Sequence, residues 1–347
     1  MNTFDPFALE CLAAIVKEGG FERAAARMSI TQSAVSQRLR SLEEQIGTVL
    51  IVRSRPIVAT PAGGLLLKHA MQMRLLRADL QCDLKELAQG AAGLGADQDL
   101  ISIAVNADSI ATWALPALDR LACQGSTLEI ITDHQDRTHD WLVQGQALGC
   151  VTTVRQVVRG CKVEPLGAMR YVAVAHPDFA ARYCPYGLTP HNVRGLPFVA
   201  CDRKDDLQRH FVEHAFGLKL VSIRQLYVPG LEAQIRAVGA QWGVSVVPEL
   251  YVSNHLSRGD LINVAPEDSM PIDLYWHCWR LESRTLVTIS EAFTRAAAIS
   301  LCEADSDRHC VYPNLSIEPV KATLDDNIIA PAFLKIHQVP RHFNELA

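Results

Sequence analysis

The chain has 347 residues, 49% of them hydrophobic and 20% charged, with a formal net charge of -5. That length is too great for one simple core and ordinary for two or three globular domains, and the acidic balance excludes a surface coated with basic residues. Contact with a polyanion would have to come from a local patch.

Several classes are set aside by the same inspection. No apolar run approaches the ~20 residues that span a bilayer. Met1 to Glu10 lacks the basic-then-apolar order of a signal peptide, so the expectation is a cytoplasmic protein with no membrane partner. The ten cysteines contain no CxxC pair and the 12 histidines no HExxH. Reduced, mostly buried thiols are therefore expected, with neither a metal site nor a cofactor.

Residues 7–18 place Phe7, Leu9, Leu12, Ile15 and Val16 near one helical face, and Gly19-Gly20 stops that helix. Residues 21–28, FERAAARM, form a short helix whose alanines allow close approach to a neighbour. Ser29-Ile30-Thr31 breaks the pattern, and Thr31 can cap a third helix from Gln32 to about Ile46. Two helices joined by so short a turn describe a helix-turn-helix. In the third helix Ala34, Val35, Leu39, Leu42 and Ile46 face inward, while Gln32, Ser33, Ser36, Gln37 and Arg40 face outward. Gly47 ends it. Residues 49–52 and 57–59 read as two short strands around Arg53-Ser54-Arg55-Pro56, a wing tipped with cations.

Thr60-Pro61 starts a long helix that can run to about Gln89. Leu66, Met73, Leu80 and Leu87 recur every seven residues, with Leu76 and Leu84 widening the stripe. The spacing points to helix pairing between subunits, hence a homodimer or homotetramer. A Gly/Ala-rich linker, 90–96, follows. From Leu100 strands and helices alternate: strands at 100–106, 128–132, 148–153, 170–175, 219–228, 243–247 and 272–280, and helices at 110–123, 136–145, 205–216, 231–240 and 285–301. Such alternation predicts two α/β subdomains with mainly parallel sheets and a ligand beyond the strands' carboxyl ends. The last segment, 304–347, is read as an extension without an assigned role.

A polar face on one helix is ordinarily just a solvated surface. Here it is joined by a turn, a cationic wing and a long helix, and DNA binding becomes the better reading. Gln32, Ser33, Ser36, Gln37, Arg38 and Arg40, with Thr31 at the cap, offer hydrogen bonds to base edges and phosphates. Arg53 and Arg55 suit phosphates or the adjoining minor groove.

The stretch GGFERAAARMSITQSAVSQRLRSLEEQIGTVLIVR, followed by the T-x-A-G of residues 60–63, resembles the N-terminal domain of LysR-type transcription regulators. More narrowly, ITQSAVSQR, NADSIATW, QDRTHDWL, LGCVTT and PLGAMRYVAVAHPDF are similar to the ArgP/LysG branch, over residues 5–300. The resemblance implies a multidomain chain: a winged helix-turn-helix over 1–60 (motif 21–40), a linker helix for dimerisation over 61–90, and a two-lobed, periplasmic-binding-protein-like α/β effector domain over 97–303. Lobe I would comprise 97–168 and 269–303, and lobe II 169–268. It further implies double-stranded DNA, RNA polymerase and a basic amino acid, lysine or arginine, as partners, and genes of amino-acid export or metabolism as targets. Another effector, or a role in inhibiting chromosome initiation, stands as the alternative within the family.

For the effector, Ser109 is expected to cap the helix after Asn106-Ala107-Asp108, with free N–H groups suited to a carboxylate. Asp108, Asp133, Asp136 and Asp202 lie near strand ends and could answer an ammonium or guanidinium, and Thr152 and Thr153 add hydroxyls. Taken singly, each is an ordinary cap or surface charge. Pro229-Gly230 stands where the resemblance implies a small hydroxyl residue. Trp276 and Trp279 read as strand-core residues rather than, with Trp242, a cation cage. A catalytic role is not expected, since GxGxxG after a strand, GxxxxGK[ST] and GxSxG are all missing. A solute-binding protein would share the two-lobed cleft but not the helix-turn-helix.

Overall fold

The computed structural model describes residues 4–87, 100–123, 127–135, 137–219 and 221–302. The linker 90–96, Asp136, the side chain of Leu87 and the extension 304–347 lie outside the described residues. Near the N-terminus, Asp5 accepts the Phe7 N–H (3.0 Å) and caps α1 (Pro6–Glu18), which Gly19 closes in the left-handed conformation. α2 (Phe21–Arg27) and α3 (Gln32–Ile46) follow, and Thr31 caps α3 by accepting the Ala34 N–H at 3.2 Å. Leu9, Leu12, Ile15, Ala24, Val35, Leu39 and Leu42 form the core of this unit. β1 (Ile51–Val52) and β2 (Val58–Ala59) pair antiparallel as the wing.

α4 (Pro61–Leu87) leaves the wing in tight contact with it. A Cβ added to Gly63 would lie 2.0 Å from the Leu50 carbonyl oxygen, so only glycine permits this approach. The Thr60 hydroxyl donates to the Val49 carbonyl (2.8 Å) and accepts the Gly63 N–H (3.1 Å), fixing where the helix starts. The heptad stripe is divided in two. Leu66 and Met73 pack on the helix-turn-helix core, whereas Leu76, Leu80 and Leu84 remain exposed. The first half of the stripe serves the chain's own domain.

In the larger part, β3 (Ile101–Asn106) leads into α5 (Ala107–Ser109), a π-helical turn (Ile110–Ala114) and α6 (Leu115–Cys123). β4 (Leu128–Asp133), α7 (Thr138–Val143), β5 (Gly149–Thr152) and β6 (Cys161–Ala175) come next. The second lobe holds α8 (Pro177–Tyr183), β7 (Pro197–Ala200), α9 (Leu207–Phe216), β8 (Arg224–Tyr227), α10 (Leu231–Gly239), β9 (Ser245–Pro248), α11 (Glu249–Arg258) and β10 (Ile262–Asn263). β11 (Met270–Trp279) and α12 (Arg284–Ser300) return to the first.

One sheet has the order β10-β6-β11-β5-β3-β4, with β9 also on β6, and β7 pairs β8 separately. The expectation of mainly parallel sheets is corrected here. β3/β4, β3/β5 and β7/β8 are parallel, but β6/β11, β5/β11, β6/β9 and β6/β10 are antiparallel. The cause is topological: the chain crosses between lobes as a strand in each direction, and the two crossings pair with each other. Trp276 and Trp279 are fully buried; Trp276 stacks on Phe293 (4.6 Å) and donates to the Ser290 hydroxyl (2.9 Å). Trp242 is exposed, so the three tryptophans form no cage. All nine described cysteines are free thiols.

Adjacent glycines at the wing junction make a sharp test. Gly63→Ala should destabilise the chain by about 1–3 kcal/mol through overpacking against Leu50. Gly64→Ala meets nothing within 4 Å and should stabilise it by up to about 1 kcal/mol. Thermal unfolding of both variants distinguishes the two; equal effects would mean that α4 does not approach the wing so closely.

Candidate ligand cleft and nucleic-acid interface

The carboxyl ends of β3, β4, β5 and β7 converge on one cleft, where ligands of such sheets bind. Asn106 and Asp133 are direct partners in the parallel β3/β4 ladder, which sets the two strand ends level. The helix after β3 begins earlier than the sequence suggests. Asn106 has the extended backbone of a cap, while Ser109 is already helical (φ -66°, ψ -40°) and makes no capping bond. Ser109 is thus not the helix cap. Its hydroxyl is buried, as is Asn106 Oδ1, and neither has a hydrogen-bond partner among the described residues. A buried polar atom without a partner is costly, and two fall within this one turn of chain.

The carboxylates of the cleft differ in what they already hold. Asp133 is structural: Oδ1 accepts the His134 N–H (2.8 Å) and Oδ2 the Trp141 Nε1–H (3.0 Å). Asp205, which the sequence did not single out, accepts the N–H groups of Cys201 (2.9 Å) and Leu207 (3.0 Å). Asp202 Oδ1 takes those of Lys204 and Asp205, at 2.6 and 3.1 Å. Its Oδ2 lies 3.0 Å from His134 Nε2, across the cleft. Asp108 takes one bond, from the Tyr171 hydroxyl at 2.7 Å. Its surroundings of protein and its neighbour Asp205 push its carboxyl up to about 6, desolvation being the larger cause.

Thr152 and Thr153 bind the chain rather than the cleft. The Thr152 hydroxyl donates to the Gln135 carbonyl (3.0 Å) and accepts the Val154 N–H, and Thr153 reaches the same carbonyl at 3.5 Å. Gly230 (φ +87°) opens α10 with no side chain to cap it. Tyr171, His134, Cys201 and Asp205 escaped the sequence reading because each sits in a run that reads as plain strand or loop. The one available signal was Tyr171, a hydroxyl at the head of the apolar run Val172-Ala173-Val174-Ala175 of β6.

At the other end, Gln32, Ser33, Gln37 and Arg40 are exposed on α3, with Ser36 half-buried among them. Arg53 and Arg55 are exposed at the wing, on the side of Phe21, over whose ring Arg53 lies at 5.8 Å. Arg38 is drawn elsewhere: it pairs with Asp5 (3.2 Å) and stacks over Phe7 (4.4 Å). A base-reading role for it would require leaving both.

A winged helix-turn-helix, a long helix and a two-lobed domain with an acidic cleft together define a ligand-responsive transcription regulator. Residues 7–64 match the bacterial regulatory helix-turn-helix model of the lysR family, and residues 95–297 match the LysR substrate binding domain. The chain belongs to the LysR family. It is 39% identical to the HTH-type transcriptional regulator ArgP of Aeromonas salmonicida, over 81% of this chain and 93% of that protein. It is 38% identical to LysG of Mycobacterium tuberculosis, over 86% and 95%. Among solved structures, ArgP from Mycobacterium tuberculosis superposes with a TM-score of 0.73 at 36% identity, covering 87% of this chain and all of that one. Full-length LysG from Corynebacterium glutamicum, with its effector arginine bound, gives 0.64 at 31% identity, over 86% and 99%.

The sign of the Asp108 shift sets a pH test. A carboxyl raised by folding holds its proton more tightly in the native state, so its contribution is unfavourable once both states ionise. Native stability should fall as pH rises from about 4 towards about 6, by up to about 3 kcal/mol before screening by cleft water. Asp108→Asn should remove that slope and melt higher than wild type at neutral pH. Thermal melts across this range check it, and an unchanged slope would mean that Asp108 is well solvated.

Proposed function

We propose that this chain senses a basic amino acid, lysine or arginine, in the cleft between its lobes and transmits its occupancy to a paired DNA-binding domain. The observation that carries the reading is the uneven use of the cleft carboxylates. Asp133 and Asp205 are held by the chain's own N–H groups, whereas Asp108 and Asp202 Oδ2 face side chains and can turn to a cation. The buried Asn106 Oδ1 and Ser109 hydroxyl suit the amine and carboxylate of the same molecule. A guanidinium or ammonium near Asp108 would lower its raised pKa and offset its desolvation, so binding and charge are coupled. The arginine held by the LysG relative fits this chemistry.

On the DNA side, α3 enters the major groove with Gln32, Ser33, Ser36, Gln37 and Arg40 towards base edges and phosphates, and Arg53 and Arg55 follow the backbone. Two such units are paired through α4, whose exposed Leu76, Leu80 and Leu84 repeat at helical spacing. Effector binding alters DNA contact only if the amino acid favours one arrangement of subunits over the other. The regulated genes are those of amino-acid export or metabolism. Among the described residues no helix is long and apolar enough to cross a membrane, in keeping with this role.

Screening the twenty amino acids by thermal shift tests the sensor. Lysine or arginine alone should raise the melting temperature, by an amount equivalent to about 2.7 kcal/mol at 100 times the Kd. A rise with neutral amino acids but neither basic one refutes it. For DNA, Arg53→Ala should weaken binding across all sequences and reduce the log–log salt slope by about 1, as read by fluorescence anisotropy. An unchanged slope would remove Arg53 from the phosphate contacts.

A further inference from the structure

On the cleft's acidic floor, His134 Nε2 of one lobe bonds Asp202 Oδ2 of the other at 3.0 Å. His134 follows the last residue of β4, in the first lobe, and Asp202 lies two residues beyond β7, in the second. Both are held in place. The His134 N–H is anchored on Asp133 Oδ1, and Asp202 Oδ1 receives two backbone N–H groups, which leaves Oδ2 turned to the imidazole. Asp108 acts on the same histidine electrostatically, and Asp205 lies next to Asp108 in turn. His134 therefore stands among Asp202, Asp108 and Asp205, as Tyr171 does beside Asp108.

We infer that His134 is an internal competitor for the effector: it latches the ligand-free cleft by bonding Asp202, and the ligand's side-chain cation displaces it. The inference rests on the basic-amino-acid reading above and deepens it to a determinant of specificity. A guanidinium or ammonium replaces the lost bond to Asp202 and adds a full charge beside Asp108. A neutral amino acid of the same size brings at most an uncharged N–H donor to Asp202 and no charge beside Asp108, so it displaces the latch with less compensation. His134 in this way lowers affinity for every ligand but penalises uncharged ones more. The two side chains are 32% and 44% exposed, so solvent screens the pair and its effect is modest.

The test compares wild type with His134→Ala and His134→Gln in the full chain. Titration calorimetry with arginine, lysine and citrulline, the uncharged analogue of arginine, reads the competition. The alanine variant should bind arginine about fivefold more tightly and narrow the preference for arginine over citrulline. The glutamine variant, able to bond Asp202 without charge, should fall between. Hydrogen exchange on ligand-free protein reads the latch, and residues 128–135 and 201–206 should exchange faster in the alanine variant. Unchanged or weaker arginine binding in both variants overturns the competition, and unchanged exchange overturns the latch. If wild type binds neither lysine nor arginine, the effector reading and the competitor role both fall, and exchange still decides whether His134 latches the lobes.

Discussion

Two strands, β6 and β11, run from one lobe into the other and pair antiparallel from Met270↔Tyr171 to Trp279↔Cys161, with one irregularity at Leu274/Tyr275. Every distance in the cleft depends on this ladder. β5 joins β11 on one side and β9 and β10 join β6 on the other, so each lobe is built outward from the shared pair. Backbone hydrogen bonds between the two crossing strands tie the lobes together along this seam.

Tyr171 shows what the shared ladder makes possible. It lies on the crossing strand, is fully buried, and directs its hydroxyl to Asp108 in the first lobe. The crossing strand itself thereby supports the least solvated carboxylate of the cleft. Its burial disfavours the charged form of that carboxyl. The unpaired Asn106 Oδ1 and Ser109 hydroxyl are buried nearby.

The linker helix connects this sensor to the DNA-binding unit by more than a covalent tether. Asp79 on α4 accepts the Thr285 hydroxyl at 2.6 Å, just inside α12, and Lys68 donates to the Arg159 carbonyl at 3.2 Å. Gly145 passes so near that a Cβ there would sit 2.4 Å from the Lys68 backbone nitrogen. At its first turns the same helix is seated on the helix-turn-helix core and the wing. The same helix thus packs on both the sensor and the helix-turn-helix.

Local patterns in the sequence were sufficient for the N-terminal unit. Caps, glycine stops and the inward face of α3 follow from the nearest few residues, and Thr31, Gly47 and Thr60 do what their chemistry suggests. Most strands and helices of the sensor were legible for the same reason. Missed were the short or polar elements, β7, β10, α8 and α11, where the hydrophobic period is too brief to stand out. The heptad stripe misled in part, because a period marks a buried face without saying which partner buries it. Asp133 and Thr152 were recognised as lying at strand ends, but whether a polar group faces a ligand or its own chain depends on residues far away in sequence. His134 and Asp202 are 68 positions apart, and only the pairing of β6 with β11 brings their lobes to within a hydrogen bond. Sequence alone determined most of the elements, the family and the residue types available for chemistry; tertiary structure decided which of them meet, because meeting is set by strand register and topology rather than by local preference.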